Sequence, residues 1–218
     1  MSGRPISEQE LKRPPFAPVR HRRASKSSKD FVAAALRVCE QEGPGSITAR
    51  KIAKAMNLSP MALYRHFKSM DHLLVMVWNE GFAQLTEMIH RPYQDGSYTL
   101  VSFRKSIEYY VEFGVNNPGL YQFMFSSGPR PEEFNMKNQG ISTYQFLNNQ
   151  LTRFAENGIL SPDLDTKGAA MHIAFVIHGL TSLLISGQIQ KVTNLSVETI
   201  ISDSVDKLVF SLDRKATN

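Results

Sequence analysis

The chain has 218 residues, which is long enough for two small domains. Hydrophobic residues make up 42% of it, enough to build a packed core, and this composition excludes a disordered protein. Its one cysteine, Cys39, excludes an internal disulfide, and its longest apolar runs, at 31–36 and 73–78, are too short to cross a membrane. The formal net charge of +5 is uneven: residues 1–70 carry 14 Lys and Arg against 5 Asp and Glu, whereas residues 71–218 carry 11 against 15.

This asymmetry suits the first third of the chain to a polyanion such as DNA, although a solvated basic surface would have the same composition. Residues 1–26 hold four prolines, few large apolar residues and a basic cluster at 20–26, so we expect a disordered basic arm. The cluster either enters the minor groove of DNA or is a solvated tail, and we favour DNA contact. The arm has no apolar stretch typical of a secretory signal, so we expect a cytoplasmic protein without a membrane partner.

From Ser27 onward the apolar residues recur with a helical period almost without a break. Ser27 and Asp30 have the spacing of a capping box, which predicts the start of the first helix. We see no alternation at period two and no internal repeat, so the expected fold class is all-α. Later helices are predicted at about 69–90, 99–116, 118–127, 131–157, 165–190 and 196–213, because proline, glycine and turn residues separate these segments.

The segment 47–74, ITARKIAKAMNLSPMALYRHFKSMDHLL, has the pattern of a helix-turn-helix, in which the second helix lies in the major groove. Thr48 is a suitable N-cap for the first short helix, and Asn57 suits the left-handed position at its end. Ser59 and Pro60 are typical of the start of the second. We expect base or groove contacts from Pro60, Met61, Tyr64 and Arg65, and phosphate contacts from Thr48, Lys51, Lys54, Ser59 and Lys68.

The same stretch, over about residues 30–75, resembles the DNA-binding region of the tetracycline-repressor (TetR) family. Two positions depart from that family's pattern: Met70 stands where a lysine is usual, and Asn57 where the turn glycine is usual. The resemblance implies that Thr48 and Arg50 begin the second helix at the DNA and that Lys68 clamps a phosphate. The residues that carry it are Thr48, Ile52, Ala53, Ser59, Leu63, Tyr64, His66, Phe67, Leu73 and Leu74.

The resemblance also implies the domain layout and the oligomeric state. It predicts nine helices, with a three-helix DNA-binding domain at 27–72 and a helical ligand-binding and dimerisation domain at 73–218. By the same resemblance, the helices at 165–190 and 196–213 form a four-helix bundle with a second subunit. The first of these helices is apolar around most of its circumference, so it needs cover on every side.

The C-terminal part is similar to a subclass of the family with a tryptophan-histidine-glycine signature. The similarity rests on NPGLYQFMF at 117–125 and on His178, Gly179 and Leu180, with Phe175 at the tryptophan position. Aromatic residues are numerous here, and a stripe of them is usually core packing. In a member of this family some would line an apolar ligand pocket, and our candidates are Tyr110, Phe113, Phe125, Tyr144, Phe175 and His178.

Other chemistry-bearing residues have structural explanations. His172 and His178 are six residues apart, which does not place them on one helical face, so we expect no metal site and no cofactor. Cys39 is expected to be a small buried apolar residue, and His66 to pack beside Phe67.

The function that follows is a sequence-specific DNA-binding transcription regulator. The chain contains no nucleophile elbow, no phosphate-binding glycine loop and no metalloprotease motif, so we expect no enzymatic activity. A homodimer would bind a palindromic operator as a repressor and leave it when a largely apolar small molecule binds. Two alternatives are an architectural DNA-binding protein without a ligand and a small-molecule carrier with a vestigial helix-turn-helix.

Overall fold

The computed structural model describes residues 27–125, 129 and 139–212, so the predicted arm at 1–26 lies outside the described residues. Within these ranges the chain forms helices and no strands, which confirms the predicted all-α class. The α-helices in this part of the chain are α1 Ser28–Glu42, α2 Ala49–Ala55, α3 Pro60–Leu63, α4 Met70–His90, α5 Leu100–Asn116, α6 Pro118–Phe125, α7 Gln139–Glu156, α8 Thr166–Ile185 and α9 Val197–Leu212.

Side-chain caps begin several of these helices where the sequence predicts them. The Ser27 hydroxyl accepts from the Asp30 amide at 3.4 Å, and the Asp30 carboxylate accepts from the Ser27 amide at 2.7 Å, so the predicted capping box is confirmed. Thr48 caps α2 by accepting from the Lys51 amide at 3.3 Å, and Ser69 caps α4 by accepting from the His72 amide at 3.1 Å. These caps satisfy backbone N–H groups that have no partner inside the helix.

The predicted helix at 165–190 is wrong at its C-terminal end, because α8 stops at Ile185. Gly187 takes a left-handed conformation with φ 67°, and the amides of Gly187 and Gln188 turn back to the carbonyls of Leu184 and Leu183. This is the Schellman arrangement that a glycine after a helix favours, so Gly187 is the residue in the sequence that marks the end of α8. The predicted start at 131 of the preceding helix lies outside the described residues, and α7 begins at Gln139.

Helix α5 lies at the centre of the C-terminal helices and packs on α4, α6, α8 and α9. Its inward face is buried through Phe103, Ile107, Tyr110 and Val111. Helix α7 covers α4 and α8 from the side, and α1 packs on α2, α4 and α6. The N-terminal helices therefore rest on α4 and α6, which also belong to the core of the C-terminal helices.

The contact between α1 and α6 is unusually close. A Cβ atom on Gly119 would lie 2.5 Å from the Cys39 carbonyl oxygen, so only glycine lets the two backbones approach this far. The next amide, that of Leu120, donates to the Glu40 carboxylate on α1 at 2.6 Å. On the other side, the Trp78 indole N–H on α4 donates to the Met124 carbonyl at 2.9 Å. Helix α6 is thus held to both α1 and α4.

By length and composition alone, helix α8 is long and apolar enough to cross a membrane. Its most apolar stretch has a mean hydropathy of 1.7, and 33% of that stretch is buried. A single helix of this kind is weak support for a membrane span, because a core or interface helix of the same length has the same composition.

The α1–α6 contact predicts the effect of adding one methyl group. Gly119→Ala forces the methyl against the Cys39 carbonyl and should lower the free energy of unfolding by about 1–3 kcal/mol in urea denaturation. Gly45→Ala is the matched control, because a Cβ at Gly45 meets open space and should change stability by less than about 0.5 kcal/mol. Equal stability of the two variants would contradict the close backbone approach.

Candidate functional site

Helices α2 and α3 are held against α1 by a small apolar core. Ile52 and Leu63 are fully buried, and Phe67 is 3% exposed. The Phe31 ring on α1 packs edge-on against Phe67, with centroids 6.1 Å apart. His66 is half-buried, and its ring lies 5.0 Å from that of Phe31, so it packs within this core as expected. Two short helices that could not stand alone are therefore fixed by burial.

The turn between α2 and α3 depends on Asn57, which has φ 54°. The Asn57 amide donates to the Lys54 carbonyl at 3.1 Å, and the Leu58 amide donates to the Ala53 carbonyl at 2.9 Å. This pair of bonds is a Schellman motif, so the predicted left-handed role of Asn57 is confirmed. The motif fixes the angle at which α3 leaves α2.

The structure places the predicted DNA contacts on one exposed surface around this turn. Met61 is 69% exposed and Tyr64 47% exposed. Helix α3 has four residues, so Tyr64 and Arg65 lie in the turn that follows it rather than within it. Ser59 occupies the N-cap position, but its hydroxyl makes no capping bond. Thr48, Arg50, Ser59, Pro60, Arg65 and Lys68 are also exposed.

The charge of this surface is one-sided. Residues 47–68 contain five Lys and Arg and no Asp or Glu. Lys51 differs from the other cations because its ammonium group pairs with the Glu42 carboxylate at 2.7 Å. Both side chains of that pair are nearly half exposed, so the pair is weak, and a phosphate could replace Glu42.

A second candidate site is an apolar cavity of about 110 Å³ between α4, α5, α7 and α8. Three of the predicted ligand residues, Tyr110, Phe125 and Tyr144, line it. None of its described lining residues is charged, and the hydroxyls of Ser106 and Thr143 are among its few polar groups. The lining residues that the sequence analysis missed are Phe82, Ile89, Ser106, Ile107, Thr143, Phe146, Leu147, Ala174 and Ile177.

The other three candidates lie elsewhere. Phe113 is buried in the core, 4% exposed, without lining the cavity. Phe175 is 68% exposed on the outer side of α8. His178 lies behind the cavity wall, where its ring centroid is 4.8 Å from that of Phe125. Helical periodicity could have separated Phe175 from Ala174 and Ile177, because these positions lie on different sides of α8.

A chain of hydrogen bonds runs from His178 to the cavity wall. The His178 Nδ1 atom lies 2.8 Å from the Tyr121 hydroxyl, which lies 3.2 Å from the Tyr110 hydroxyl. Burial lowers the pKa of His178, raises the pKa of Tyr121 to about 12, and raises the pKa of Tyr110 well above its ordinary value. All three groups are therefore neutral near pH 7, and they add no charge to the cavity.

Among the described residues, no group of three or more His, Cys, Asp or Glu side chains is placed to hold a metal ion. Cys39 is fully buried, and burial raises the pKa of its thiol to about 12, so the thiolate is scarce at neutral pH. Its predicted role as a small buried apolar residue is confirmed.

Two family models match this chain. The model described as "Bacterial regulatory proteins, tetR family" matches residues 31–77, which include the whole exposed cationic surface. The model described as "Tetracyclin repressor-like, C-terminal domain" matches residues 103–208, which include most of the cavity. The chain belongs to the TetR family. This membership confirms the predicted family, whereas the tryptophan-histidine-glycine subclass stays a prediction.

Individual relatives of this TetR-family regulator are distant. An uncharacterised HTH-type transcriptional regulator, YobS of Bacillus subtilis, is 26% identical over 98 residues, which are 44% of this chain and 50% of YobS. The match thus spans about half the length of that curated relative.

Two solved structures are similar to the regulator along most of its length. A protein of unknown function from Rhodococcus sp. RHA1 is 18% identical, with a TM-score of 0.74 over 89% of this chain and 100% of its own. The transcriptional regulator FadR of Bacillus subtilis, solved in complex with stearoyl-CoA, is 17% identical, with a TM-score of 0.66 over 83% of this chain and 97% of its own. At these identities the two structures show a shared fold.

The left-handed turn residue of this TetR-family regulator predicts a difference between two substitutions. Asn57→Ala should lower the free energy of unfolding by about 1 kcal/mol, because a Cβ without a local hydrogen bond is strained at φ 54°. Asn57→Gly should leave stability nearly unchanged, since glycine accepts this conformation. Chemical denaturation of both variants measures the difference. An alanine variant as stable as the glycine variant would show that the turn is not held left-handed.

Proposed function

We propose that this transcription regulator is a homodimeric repressor that binds a palindromic operator and releases it when a largely apolar molecule enters the cavity. The observation that carries the proposal is the pairing of two unlike sites in one chain. An exposed cationic surface free of acidic residues lies on α2 and α3, and an uncharged apolar cavity lies among α4, α5, α7 and α8. Family membership supports the role of a regulator and gives no support to an enzymatic one.

The cationic surface suits the major groove. Pro60 and Met61 at the start of α3 present apolar groups to groove walls and thymine methyls, and Tyr64 presents a phenol beside them. Around them, the exposed side chains of Arg50, Lys54, Arg65 and Lys68 can reach phosphates, which supplies salt-dependent affinity without sequence preference.

The proposed dimer uses the outer side of α8. Met171, Phe175 and Leu183 are each about half exposed or more, and their spacing of four and eight residues places them on one side of the helix. An apolar row of this length calls for a covering surface, and α9, the other helix of the proposed bundle, also has an exposed aromatic residue in Phe210, which is 66% exposed. A dimer with two-fold symmetry would set two α3 helices about 34–36 Å apart, one turn of DNA.

The cavity supports a ligand whose bound part is uncharged. A charged group there would lose its hydration without a counter-ion in the described lining. Its volume, about 110 Å³, is of the order of cavities of ~150 Å³ that bind benzene, so a ring or a short alkyl segment fits without rearrangement. FadR of Bacillus subtilis, with its stearoyl-CoA, supports a ligand that is apolar in part.

Helices α4 and α6 connect the two sites. Phe82 on α4 and Phe125 on α6 both line the cavity, and their rings are 5.3 Å apart. Helix α6 packs against α1 at Gly119 and accepts a cap from it at Leu120, and α4 begins directly after the DNA-binding helices. A ligand that prefers a different placing of α4 and α6 would change the spacing of the two α3 helices and lower DNA affinity by linkage.

Selection of binding sites from random duplex DNA with the purified full-length protein, at two salt concentrations, tests this function. Enrichment of a palindrome whose affinity falls steeply with salt is the expected result. Salt-sensitive binding without any enriched sequence would favour the architectural alternative. Weak binding that salt does not change would favour a carrier with a vestigial helix-turn-helix.

The DNA surface predicts two separable effects on operator binding. Tyr64→Ala should weaken binding to the selected site by about 1–3 kcal/mol without lowering the melting temperature, because Tyr64 is exposed. Lys68→Ala should weaken binding to all sequences and reduce the slope of log affinity against log salt by about 1. Lys191→Ala, at an exposed lysine in the segment between α8 and α9, is the matched control and should leave both quantities unchanged. Unchanged affinity in both Tyr64→Ala and Lys68→Ala would contradict the assigned surface.

The dimer surface predicts the effect of one buried charge. Phe175→Glu would place a carboxylate in the covered face of α8 and should raise the dimer dissociation constant by at least about tenfold, measured by analytical ultracentrifugation. Ile159→Glu, an exposed apolar residue between α7 and α8, should not change it. If the Phe175 variant dimerises as tightly as the wild type, the protein does not use this face.

A further inference from the structure

A polar cleft lies next to the apolar cavity, and Phe146 lines both. The cleft, of about 450 Å³, lies between α7 and the segment that follows α4. His90 at the end of α4 and Tyr93 just after it line one side, and Gln150 and Arg153 line it from α7. The Phe146 ring packs against the His90 ring with centroids 3.9 Å apart and meets the Tyr93 ring edge-on at 5.7 Å. Phe146 is therefore the partition between an apolar space and a polar one.

Two buried polar atoms at the cleft lack hydrogen-bond partners in the described structure. They are the Tyr93 hydroxyl oxygen and the Gln150 amide oxygen, and each residue is only 7% exposed. Buried polar atoms of this kind are nearly always paired in native proteins, so unpaired ones on residues that line a cleft point to a missing partner. An amide oxygen accepts hydrogen bonds only, and a phenol both donates and accepts. The missing partner must therefore offer at least one N–H or O–H.

Tyr93 also links the cleft to the cavity. Burial raises the pKa of its phenol, and the Ser106 hydroxyl, which lines the cavity, lies beside it. The contact between the two hydroxyls does not reach hydrogen-bond geometry, so the phenol keeps its capacity for a ligand. A molecule with its apolar part in the cavity would have to turn the Phe146 ring aside to place its other end in the cleft, where it would meet Tyr93 and Gln150.

The charges around the cleft argue against an anionic head group. The Glu156 carboxylate lines the cleft, and the unpaired Gln150 oxygen would repel a second oxygen that cannot donate. The guanidinium of Arg153, a cation among the lining residues, lies 4.0 Å over the Tyr98 ring, so it is already engaged with an aromatic face. A neutral head that donates hydrogen bonds has none of these conflicts.

We propose that the effector is an amphipathic molecule whose apolar part fills the cavity and whose neutral, hydrogen-bond-donating head, such as a primary amide or an alcohol, binds Gln150 and Tyr93 in the cleft. The inference rests on the proposed function, since it takes the apolar cavity to be the effector site. It adds the polar cleft as a second part of the effector site and assigns recognition of the head group to Gln150 and Tyr93. It also excludes a carboxylate as that head group.

Three small probes separate these claims. Hexanamide and hexanoate have the same chain length and nearly the same shape, but only the amide is neutral and donates. Benzene tests the cavity alone. The measurement is an NMR titration of the full-length chain at pH 7.5, and hexanamide should bind at least about tenfold more tightly than hexanoate.

Variants of α7 assign the head site. Gln150→Leu keeps the side-chain size but removes the amide, so hexanamide affinity should fall about fivefold to tenfold while benzene affinity is unchanged. Gln145→Leu is the matched control on the exposed side of α7 and should change neither affinity. Tyr93→Phe serves as a second test of the head site, with an expected loss of hexanamide affinity and no loss for benzene.

The outcomes distinguish this inference from the function on which it rests. Benzene binding together with equal affinities for hexanamide and hexanoate, or with no effect of Gln150→Leu and Tyr93→Phe, would overturn the head site and leave the cavity standing. Failure of all three probes to bind the folded protein would overturn the cavity as effector site and the head site with it.

Discussion

The close contact between α1 and α6 is the constraint on which the arrangement of the two sites depends. Gly119 allows the α6 backbone to lie against the carbonyl of Cys39, and the Glu40 carboxylate accepts from the Leu120 amide at the start of α6. That amide is the third of the helix and would otherwise lack a partner within it. A residue of α1 therefore caps α6, so the DNA-binding helices and the cavity-lining helices share one rigid joint.

Electrostatics divides the molecule in the same way. Residues 47–68 carry five cations and no acids, whereas the described cavity lining holds no charged side chain. Burial keeps Tyr110 in that lining, and Tyr121 and His178 behind it, neutral near pH 7. The cationic surface attracts a polyanion at long range, and the uncharged cavity lining favours a ligand whose removal from water costs little free energy. The proposed function needs both, since a regulator must bind DNA by charge and respond to a ligand that does not compete for that charge.

The sequence predicted the local structure well because its signals are local. Caps at Ser27, Thr48 and Ser69 and the left-handed Asn57 each depend on a few neighbouring residues, so they could be recognised without tertiary information. The end of α8 was misplaced although Gly187 carries the same kind of signal, because the apolar Ile189 follows it at helical spacing from Ile185.

The ligand cavity was harder to predict, because it is made where four helices meet. Aromatic residues are equally suited to a core, a cavity lining and an exposed helix face, and Phe113, Tyr110 and Phe175 occupy these three places in that order. Only the packing of α8 separates the exposed Phe175 from its cavity-lining neighbour Ala174.

The most direct test of the joint between α1 and α6 is native-state hydrogen exchange of the Leu120 amide, measured by NMR. If the two helices form one joint, this amide should exchange with the same free energy of opening as the Val38 amide in the middle of α1. The Glu40→Ala substitution should then speed the exchange of the Leu120 amide selectively. If the wild-type Leu120 amide exchanges many times faster than the Val38 amide, as an amide at an uncapped helix start does, the claim that α1 and α6 form one joint is contradicted.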